Sequence, residues 1–161
     1  MLSKRRRLNP TTIFDPVHRE YELGPEIIDI INTSHFQRLR RLRQLATAHW
    51  VWLGATHTRF EHSISVAYLA GLLAKGLQQK QPELEITDRQ ILLVQLAGLL
   101  HDVGHGPFSH LFDDVFLKDS KEAMAHHENR SVALVDLLLR ESVYVYSTEE
   151  IAFVQAMIVP K

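Results

Sequence analysis

Cysteine is absent from the 161-residue sequence, and neither charge sign dominates, because 18 Lys and Arg residues face 19 Asp and Glu residues. The absence of cysteine excludes disulfides, cysteine-ligated zinc and a thiol nucleophile, and it is compatible with a reducing compartment. The net charge of −1 means that the molecule as a whole does not attract nucleic acid electrostatically. What remains is an ordinary globular composition in a chain of one domain's length.

Long apolar segments are also lacking. The longest run, 91–100, includes Gln95 and is far shorter than the ~18 residues that a membrane span needs. The N-terminus is basic at Lys4–Arg7, but polar residues follow it, so we predict no secretory signal. The basic cluster fits either a nuclear localisation signal or a disordered terminus. We therefore expect an intracellular protein, nuclear or cytoplasmic, with residues 1–12 as a flexible leader.

Histidine is the one residue type in unusual abundance, with ten copies. Three of them, His101, His105 and His110, fall within ten residues, directly after the longest apolar run. Histidine titrates near neutrality and is the commonest metal ligand, so this stretch is the first place to look for chemistry. We expect Gly104 to turn the chain with a positive φ. If the preceding helix persists for one more turn, His105 shares a face with His101.

Apolar spacing and capping residues predict a single, nearly all-α domain over residues 13–161, with a short β-hairpin near 13–23. The pattern predicts seven helices. One starts at Pro25 and another at His126, and the others cover 36–45, 57–80, 88–102, 111–116 and 151–158. Thr87, Ser109 and Ser147 are the predicted N-caps of three of them. The chain stops directly behind the last predicted helix, so we expect a domain that continues in a longer parent.

A metal site is the first chemical hypothesis, with His62, His101 and Asp102 as ligands. Imidazole and carboxylate together suit a divalent transition metal, and iron, zinc or manganese are not distinguished by this set. Adjacent residues on a helix point about 100° apart, so His101 and Asp102 can still share an ion at the helix edge. The alternative is a buried His101 that is hydrogen-bonded to Asp102.

General acid–base work is the second hypothesis, with His105, His110 and His127 as candidates. A neutral imidazole can move a proton at physiological pH. Asp113 lies three residues after His110 and is predicted to orient its ring. Residue spacing alone does not separate this interpretation from helix-end or surface histidines.

Arginine provides two candidate anion sites. Arg59 lies three residues before His62, hence on the same helical face, where it can neutralise phosphate charge next to a metal. The alternative is a structural salt bridge to Glu61 or Asp102. The segment 38–43 carries four arginines on the predicted helix 36–45, which fits either a solvated basic face or a polyanion site.

The metal-ligand pattern resembles the HD-domain metal-dependent phosphohydrolases. Longer segments are similar to the deoxynucleotide triphosphohydrolases of that superfamily, and most of all to the SAM-and-HD-domain group of animals. These segments are Asp15-Pro16-Val17-His18, Phe36-Gln37-Arg38-Leu39-Arg40, Arg59-Phe60-Glu61-His62-Ser63 and His101-Asp102-x-Gly104-His105-Gly106-Pro107-Phe108-Ser109-His110. The similarity covers the N-terminal part of the HD domain, without a SAM domain.

The resemblance implies an all-α HD fold and cleavage of a dNTP to a deoxynucleoside and inorganic triphosphate, with Mg²⁺ accompanying the nucleotide. It implies a metal on His62, His101 and Asp102, and triphosphate contact by Arg59. Further implied site residues are His105, His110, Asp113 and His127 at the reaction centre, with His110 and Asp113 as a proton-transfer pair, and Gln44 and Leu45 against the sugar. Such a wall rejects a 2′-hydroxyl by crowding it and leaving it unpaired.

Relatives in this family assemble into tetramers when nucleotides bind a separate site, to which the resemblance assigns His18, Asn32, Gln37 and Arg40. Asn32 stands where the animal enzymes carry an aspartate, which puts guanine-specific activation in doubt. The fourth metal ligand of the family, a later aspartate, lies beyond this chain. Two alternatives therefore stay open: an impaired form that binds nucleotides, single-stranded nucleic acid or full-length subunits, and another HD-type phosphohydrolase.

Overall fold

The computed structural model describes residues 8–120 and 122–160, so the basic cluster Lys4–Arg7 lies outside the described residues. Strands β1 (Thr11–Asp15) and β2 (Arg19–Leu23) form an antiparallel hairpin. Six α-helices follow: α1 (Pro25–Ile31), α2 (Ser34–Gln37), α3 (Arg59–Lys80), α4 (Asp88–Leu100), α5 (His127–Glu141) and α6 (Thr148–Ile158). The prediction of a helical fold with a small hairpin is confirmed, although β1 begins two residues inside the predicted leader.

Local capping chemistry explains where the long helices begin. Thr87 and Ser147 form the predicted capping boxes, accepting hydrogen bonds from the backbone N–H groups of Gln90 and Glu150. A third box, which the sequence prediction missed, joins Thr58 to Glu61 and starts α3 at Arg59, two residues later than predicted. No helix among the described residues has the length and hydropathy needed to cross a membrane.

Helices α3 and α4 form the centre of the fold and run antiparallel. Small residues permit their close approach, because a Cβ added at Gly98 would lie 3.2 Å from the carbonyl oxygen of Val66. Their apolar faces bury Ile64, Ala67, Leu96, Leu99 and Leu100 in a core that also takes residues from the hairpin, α1, α5 and α6. In this antiparallel register the first turn of α3 meets the end of α4, which brings together two of the histidine-bearing segments.

The prediction of a helix over 36–45 is wrong. Helix α2 ends at Gln37, a 3-10 turn covers Arg38–Arg41, and the chain then extends so that Arg43 forms a β-bridge with Thr58. The backbone N–H of Arg59 donates to the carbonyl of Leu42, which ties this segment to the start of α3. Tertiary hydrogen bonding therefore overrides helical propensity here, and no continuous arginine-bearing helix face forms.

The segment after α4 also departs from prediction. Helix α4 ends at Leu100, not at 102, and no described glycine has a positive φ, so Gly104 does not turn the chain in the predicted way. Gly104 is needed for close approach instead, because an added Cβ would lie 2.4 Å from the His127 carbonyl oxygen. Within this segment Phe108 and Ser109 have a positive φ. A π-helical turn at Phe112–Phe116 replaces the predicted short helix.

Candidate metal centre and active site

His62, His101 and Asp102 converge on one point, and we call them the metal cluster. His62 lies on the first turn of α3, while His101 and Asp102 directly follow α4. The Nε2 atoms of the two histidines are 3.3 Å apart, and each lies 3.3 Å from Asp102 Oδ2. The three candidate ligands that the sequence identified are therefore brought together by the antiparallel pairing of α3 and α4.

The spacing of the metal cluster fits a single divalent ion. Metal–nitrogen bonds of about 2.1 Å at tetrahedral angles separate neighbouring ligand atoms by about 3.4 Å, close to the observed 3.3 Å. The two imidazole centroids are 5.2 Å apart, a separation that fits two rings aimed at a common ion, and the rings are inclined by 63°. The Nδ1 of His101 lies 2.7 Å from the Gly98 carbonyl, which leaves Nε2 for the ion.

Burial and ion pairing keep Asp102 ionised. Burial by itself would raise the pKa of this carboxyl, but contacts with His101, His105 and His62 outweigh it and hold the pKa far below its usual range. The Arg59 guanidinium also bonds to Asp102 Oδ2 in the protein interior. Asp102 is therefore a permanent negative charge at the centre of the site, as a metal ligand must be.

His105, His110 and His127 form a second group, which we call the imidazole cluster, and their ring nitrogens also lie within 4.8 Å of one another. The rings of His105 and His127 are stacked, with centroids 3.7 Å apart and planes inclined by 22°. Two imidazoles that share one ion need centroids about 5 Å apart, because each ring extends away from the metal along its own bond. The stacked pair does not meet that requirement, whereas the His110 ring lies at 4.9 and 5.1 Å from the other two; the proton-handling role of this cluster stays a prediction.

Asp113 orients His127 and not His110, contrary to the prediction from spacing. Its Oδ2 lies 2.7 Å from His127 Nδ1 and accepts the His127 backbone N–H at 2.8 Å. Arg130 bonds to the other carboxylate oxygen, and these contacts lower the pKa of Asp113 against the opposing effect of burial. The reason is tertiary: the π-helical turn aims Asp113 at the N-terminus of α5, where free N–H groups favour a carboxylate.

Arg59 is buried, with only 1% of its surface exposed. Its Nε and Nη2 donate to Ser109 Oγ at 3.0 and 2.8 Å, while Nη1 holds Asp102. The predicted alternative of a salt bridge to Asp102 is therefore present, and triphosphate contact by Arg59 stays a prediction. Ser109 does not cap a helix with its side chain, because its hydroxyl contacts Arg59 and lies 3.0 Å from the Gln44 carbonyl.

The two predicted sugar-facing residues lie on the segment that Ser109 contacts. Gln44 has a buried side-chain oxygen without a hydrogen-bond partner among the described residues, whereas Leu45 is half-exposed. An unpartnered buried amide oxygen is costly unless a ligand satisfies it. This observation is consistent with a ligand group at Gln44, and the sugar assignment stays a prediction.

Three of the four predicted regulatory residues share a cavity of about 620 Å³, while the fourth does not. Asn32, Gln37 and Arg40 line this cavity together with residues of β1. Arg40 lies with its guanidinium carbon 3.5 Å from the Phe60 ring centroid and donates to Gln37 Oε1. His18 packs on Tyr68 of α3 and lines a different cavity, which it shares with His62.

Two residues of the site were missed by sequence reasoning. Arg130 holds Asp113 and the Gly104 carbonyl, and Ser131 Oγ accepts the Gly104 N–H. Arg130 lies three residues after His127 on α5, so helical spacing offered a usable signal for it. Nothing in the local sequence around Ser131 indicates its partner, 27 residues away.

Comparison with known proteins agrees with this geometry. The HD domain family profile matches residues 59–153, which contain both clusters. The chain is 45% identical over 153 residues to the deoxynucleoside triphosphate triphosphohydrolase SAMHD1 of Gallus gallus, covering 89% of this chain and 25% of that protein. It is 45% identical over 156 residues to the same protein of Homo sapiens, with 91% and 25% covered. A SAMHD1 homolog of Dictyostelium discoideum is 39% identical over 153 residues, with 94% and 30% covered. The chain thus spans about a quarter of the length of these relatives, and it belongs to the HD-domain family.

Proposed function

We propose that this chain carries the metal-binding catalytic core of a deoxynucleoside triphosphate triphosphohydrolase. The observation that carries the proposal is Asp102, whose Oδ2 faces the metal-cluster histidines at 3.3 Å while Oδ1 lies 3.4 Å from His105 of the imidazole cluster. A metal centre and a set of proton-transfer groups thus adjoin one carboxylate. The identity to proteins named for that reaction supports the substrate class.

In the proposed site, His62, His101 and Asp102 hold a divalent transition metal, and a Mg²⁺ ion accompanies the nucleotide. The bound metal supplies charge neutralisation for phosphate oxygens. Arg59 holds Asp102 in place through its buried ion pair and adds positive charge for the triphosphate. The donor set does not choose between iron, zinc and manganese.

The proposed reaction consumes water: a bond forms between a water oxygen and the α-phosphorus, and the bond from that phosphorus to the 5′ oxygen breaks. In the proposal, the leaving 5′ oxygen takes a proton from His110, which is exposed, and the attacking water releases one, so that the protons balance. His127 is held at Nδ1 by Asp113, and its Nε2, which lies 3.4 Å from Glu128 Oε1, would face the reaction centre. His105 is buried beneath His127 and fixes its ring by stacking.

Substrate selection and regulation belong to the same proposal. Gln44 and Leu45 would face the sugar, and the unpartnered Gln44 oxygen is the observation that favours this placement. Asn32, Gln37 and Arg40 would contact an activating nucleotide in their common cavity. His18 is omitted from that set because it lines the other cavity. The proposal also includes assembly of this chain into a homo-oligomer.

The test is product identification with this chain. Purified protein is incubated with Mn²⁺, mixed dNTPs and GTP, and ³¹P NMR is used to detect inorganic triphosphate. We expect triphosphate from the natural sequence and none from His62→Ala. Monophosphate with pyrophosphate would instead indicate another HD-type phosphohydrolase. No product from folded, metal-loaded protein would refute the proposal for this chain and leave nucleotide or nucleic-acid binding as its function.

A further inference from the structure

The turn 103–105 connects the two clusters, and its backbone polar groups are held by side chains from elsewhere in the fold. Asp102 of the metal cluster precedes the turn, and His105 of the imidazole cluster is its last residue. The carbonyls of Val103 and His105 accept hydrogen bonds from Arg38, at 2.7 and 2.9 Å. The carbonyl of Gly104 accepts from Arg130 at 2.8 Å. Two guanidinium groups thus hold three consecutive carbonyls.

Arg38 differs from an ordinary surface arginine in its partners. No carboxylate pairs with it among the described residues, and both of its hydrogen bonds go to neutral carbonyls that are two residues apart. Partial burial and the nearby charge of Arg130 lower its pKa, so this cation is held at an electrostatic cost. The planar fork of an arginine places two donors side by side, whereas a lysine offers one point charge.

Among the described residues, no hydrogen bond or ion pair joins the Arg38 side chain to a side chain of either cluster, and it reaches His105 only at the backbone carbonyl. Its effect on chemistry must therefore pass through the backbone of the turn to the His105 ring. That ring is fully buried and is stacked on His127, and its Nε2 lies 3.4 Å from Asp102 Oδ1, too long for a well-formed hydrogen bond. Its orientation therefore depends on its backbone position, on stacking and on the long contact with Asp102, which itself directly precedes the turn.

We propose that Arg38 is a positioning residue, whose two-pronged bond to the Val103 and His105 carbonyls holds the His105 ring on His127 and beside Asp102. The inference rests on the proposed function only where it assigns that ring to the reaction centre. The sequence left open whether Arg38 lies on a solvated basic face or a polyanion site, and its hydrogen bonds to backbone carbonyls fit neither.

The test compares Arg38→Ala and Arg38→Lys with Arg41→Ala. Arg41 is the matched control, because it lies on the same turn, is exposed and has no hydrogen bond or ion pair among the described residues. The readout is the ring-proton NMR shift of His105, assigned by its loss in His105→Gln, since stacking on His127 displaces it through ring current. The measurement uses the metal-free full chain and needs no catalytic activity.

In Arg38→Ala we expect the ring-current shift of the His105 signal to fall by at least about half. Addition of low-millimolar guanidinium should restore part of that shift. Arg38→Lys should recover less than guanidinium does, because it lacks the fork. Arg41→Ala should match the natural sequence. A native His105 shift in Arg38→Ala, or in Arg38→Lys if the alanine variant does not fold, would overturn the proposal. If triphosphate release is absent but the shift responds as expected, only the proposed function fails.

Where turnover is measurable, kcat offers a second readout. Loss of an outer positioning contact at such sites costs about 10- to 100-fold, and we expect this loss in kcat with KM changed little, since Arg38 does not face the substrate. An equal fall in kcat for Arg41→Ala would contradict the positioning role.

Discussion

The metal cluster and the imidazole cluster are built from the same kinds of residue but differ in ring geometry. In the first, two imidazoles stand 5.2 Å apart at 63°, and a carboxylate oxygen faces both Nε2 atoms. In the second, two imidazoles are stacked at 3.7 Å, and the carboxylate of Asp113 binds His127 on its Nδ1 side. The comparison teaches that equal histidine counts give different geometries, and the position of the carboxylate is the difference on which we base the proposed metal and proton-transfer roles.

Each cluster combines a buried member with more exposed ones. Asp102 and His105 are interior, while the metal-cluster histidines are about one-third exposed at their side chains. An ion can therefore enter the first cluster from solvent, and its ligands are already preorganised by Arg59 and Gly98. In the second cluster His110 is the exposed member, which fits its proposed role as the group that meets the substrate.

The largest expected effect separates the clusters by metal affinity. His62→Ala removes one of three candidate ligands, so we expect its metal affinity to fall by more than the about 100-fold that loss of an outer partner costs. His110→Ala should bind metal like the natural sequence if, as we propose, the imidazole cluster handles protons and does not bind the metal. Metal content after dialysis, measured by plasma mass spectrometry, checks both. An equal loss in the two variants would refute the distinction.

The next effect concerns the turn that joins the clusters. Gly104→Ala places a methyl group 2.4 Å from backbone atoms of α5, and such overpacking should lower the free energy of unfolding by about 3 kcal/mol. Gly54→Ala is the control, because a Cβ there meets nothing within 4 Å. Urea denaturation of both variants measures the difference. A loss below about 1 kcal/mol in Gly104→Ala would show that the turn can move away from α5.

Asp113→Asn should damage the imidazole cluster alone. The amide cannot hold His127 as the carboxylate does, so we expect turnover to fall by about 10- to 100-fold while metal content stays unchanged. Asp114→Asn is the matched control, since that neighbouring carboxylate is exposed. Comparable losses of turnover in the two variants would argue against a specific role for Asp113.

The smallest effect is the order in which acid disrupts the clusters. The pKa values of Asp102 and Asp113 both lie below the ordinary 3.8, and that of Asp102 is far lower. The stability that each contributes is present above pH 3.8 and is lost as pH falls through its folded-state pKa. We therefore expect NMR of the metal-free protein to show that, as pH falls below 4, the contact of His127 with Asp113 breaks before that of His101 with Asp102. Earlier release of His101 would contradict this order.

Much of the site could be predicted from the sequence, and the exceptions share one cause. His62, His101 and Asp102 were identifiable because each lies on or directly beside a strongly patterned helix, and a pair of antiparallel helices brings such ends together. The partner of Asp113 was not identifiable from spacing, because His127 is 14 residues away and is approached through a π-helical turn. Gly104 was placed correctly as a special position but for the wrong reason, since sequence does not reveal the backbone of α5 against it.

The sequence by itself determined the helical starts at Thr87 and Ser147, the hairpin before Pro25 and the identity of the candidate ligands. The helix starts and the hairpin depend on interactions within a few residues, and the candidate ligands were recognised from short sequence motifs. Only the tertiary structure determined the partners of the arginines. Arg38 binds carbonyls 65 and 67 residues away, Arg40 stacks on Phe60, and Arg59 is buried against Asp102. A charged side chain with many donors takes whichever partners the packed core leaves within reach, and only the folded chain specifies them.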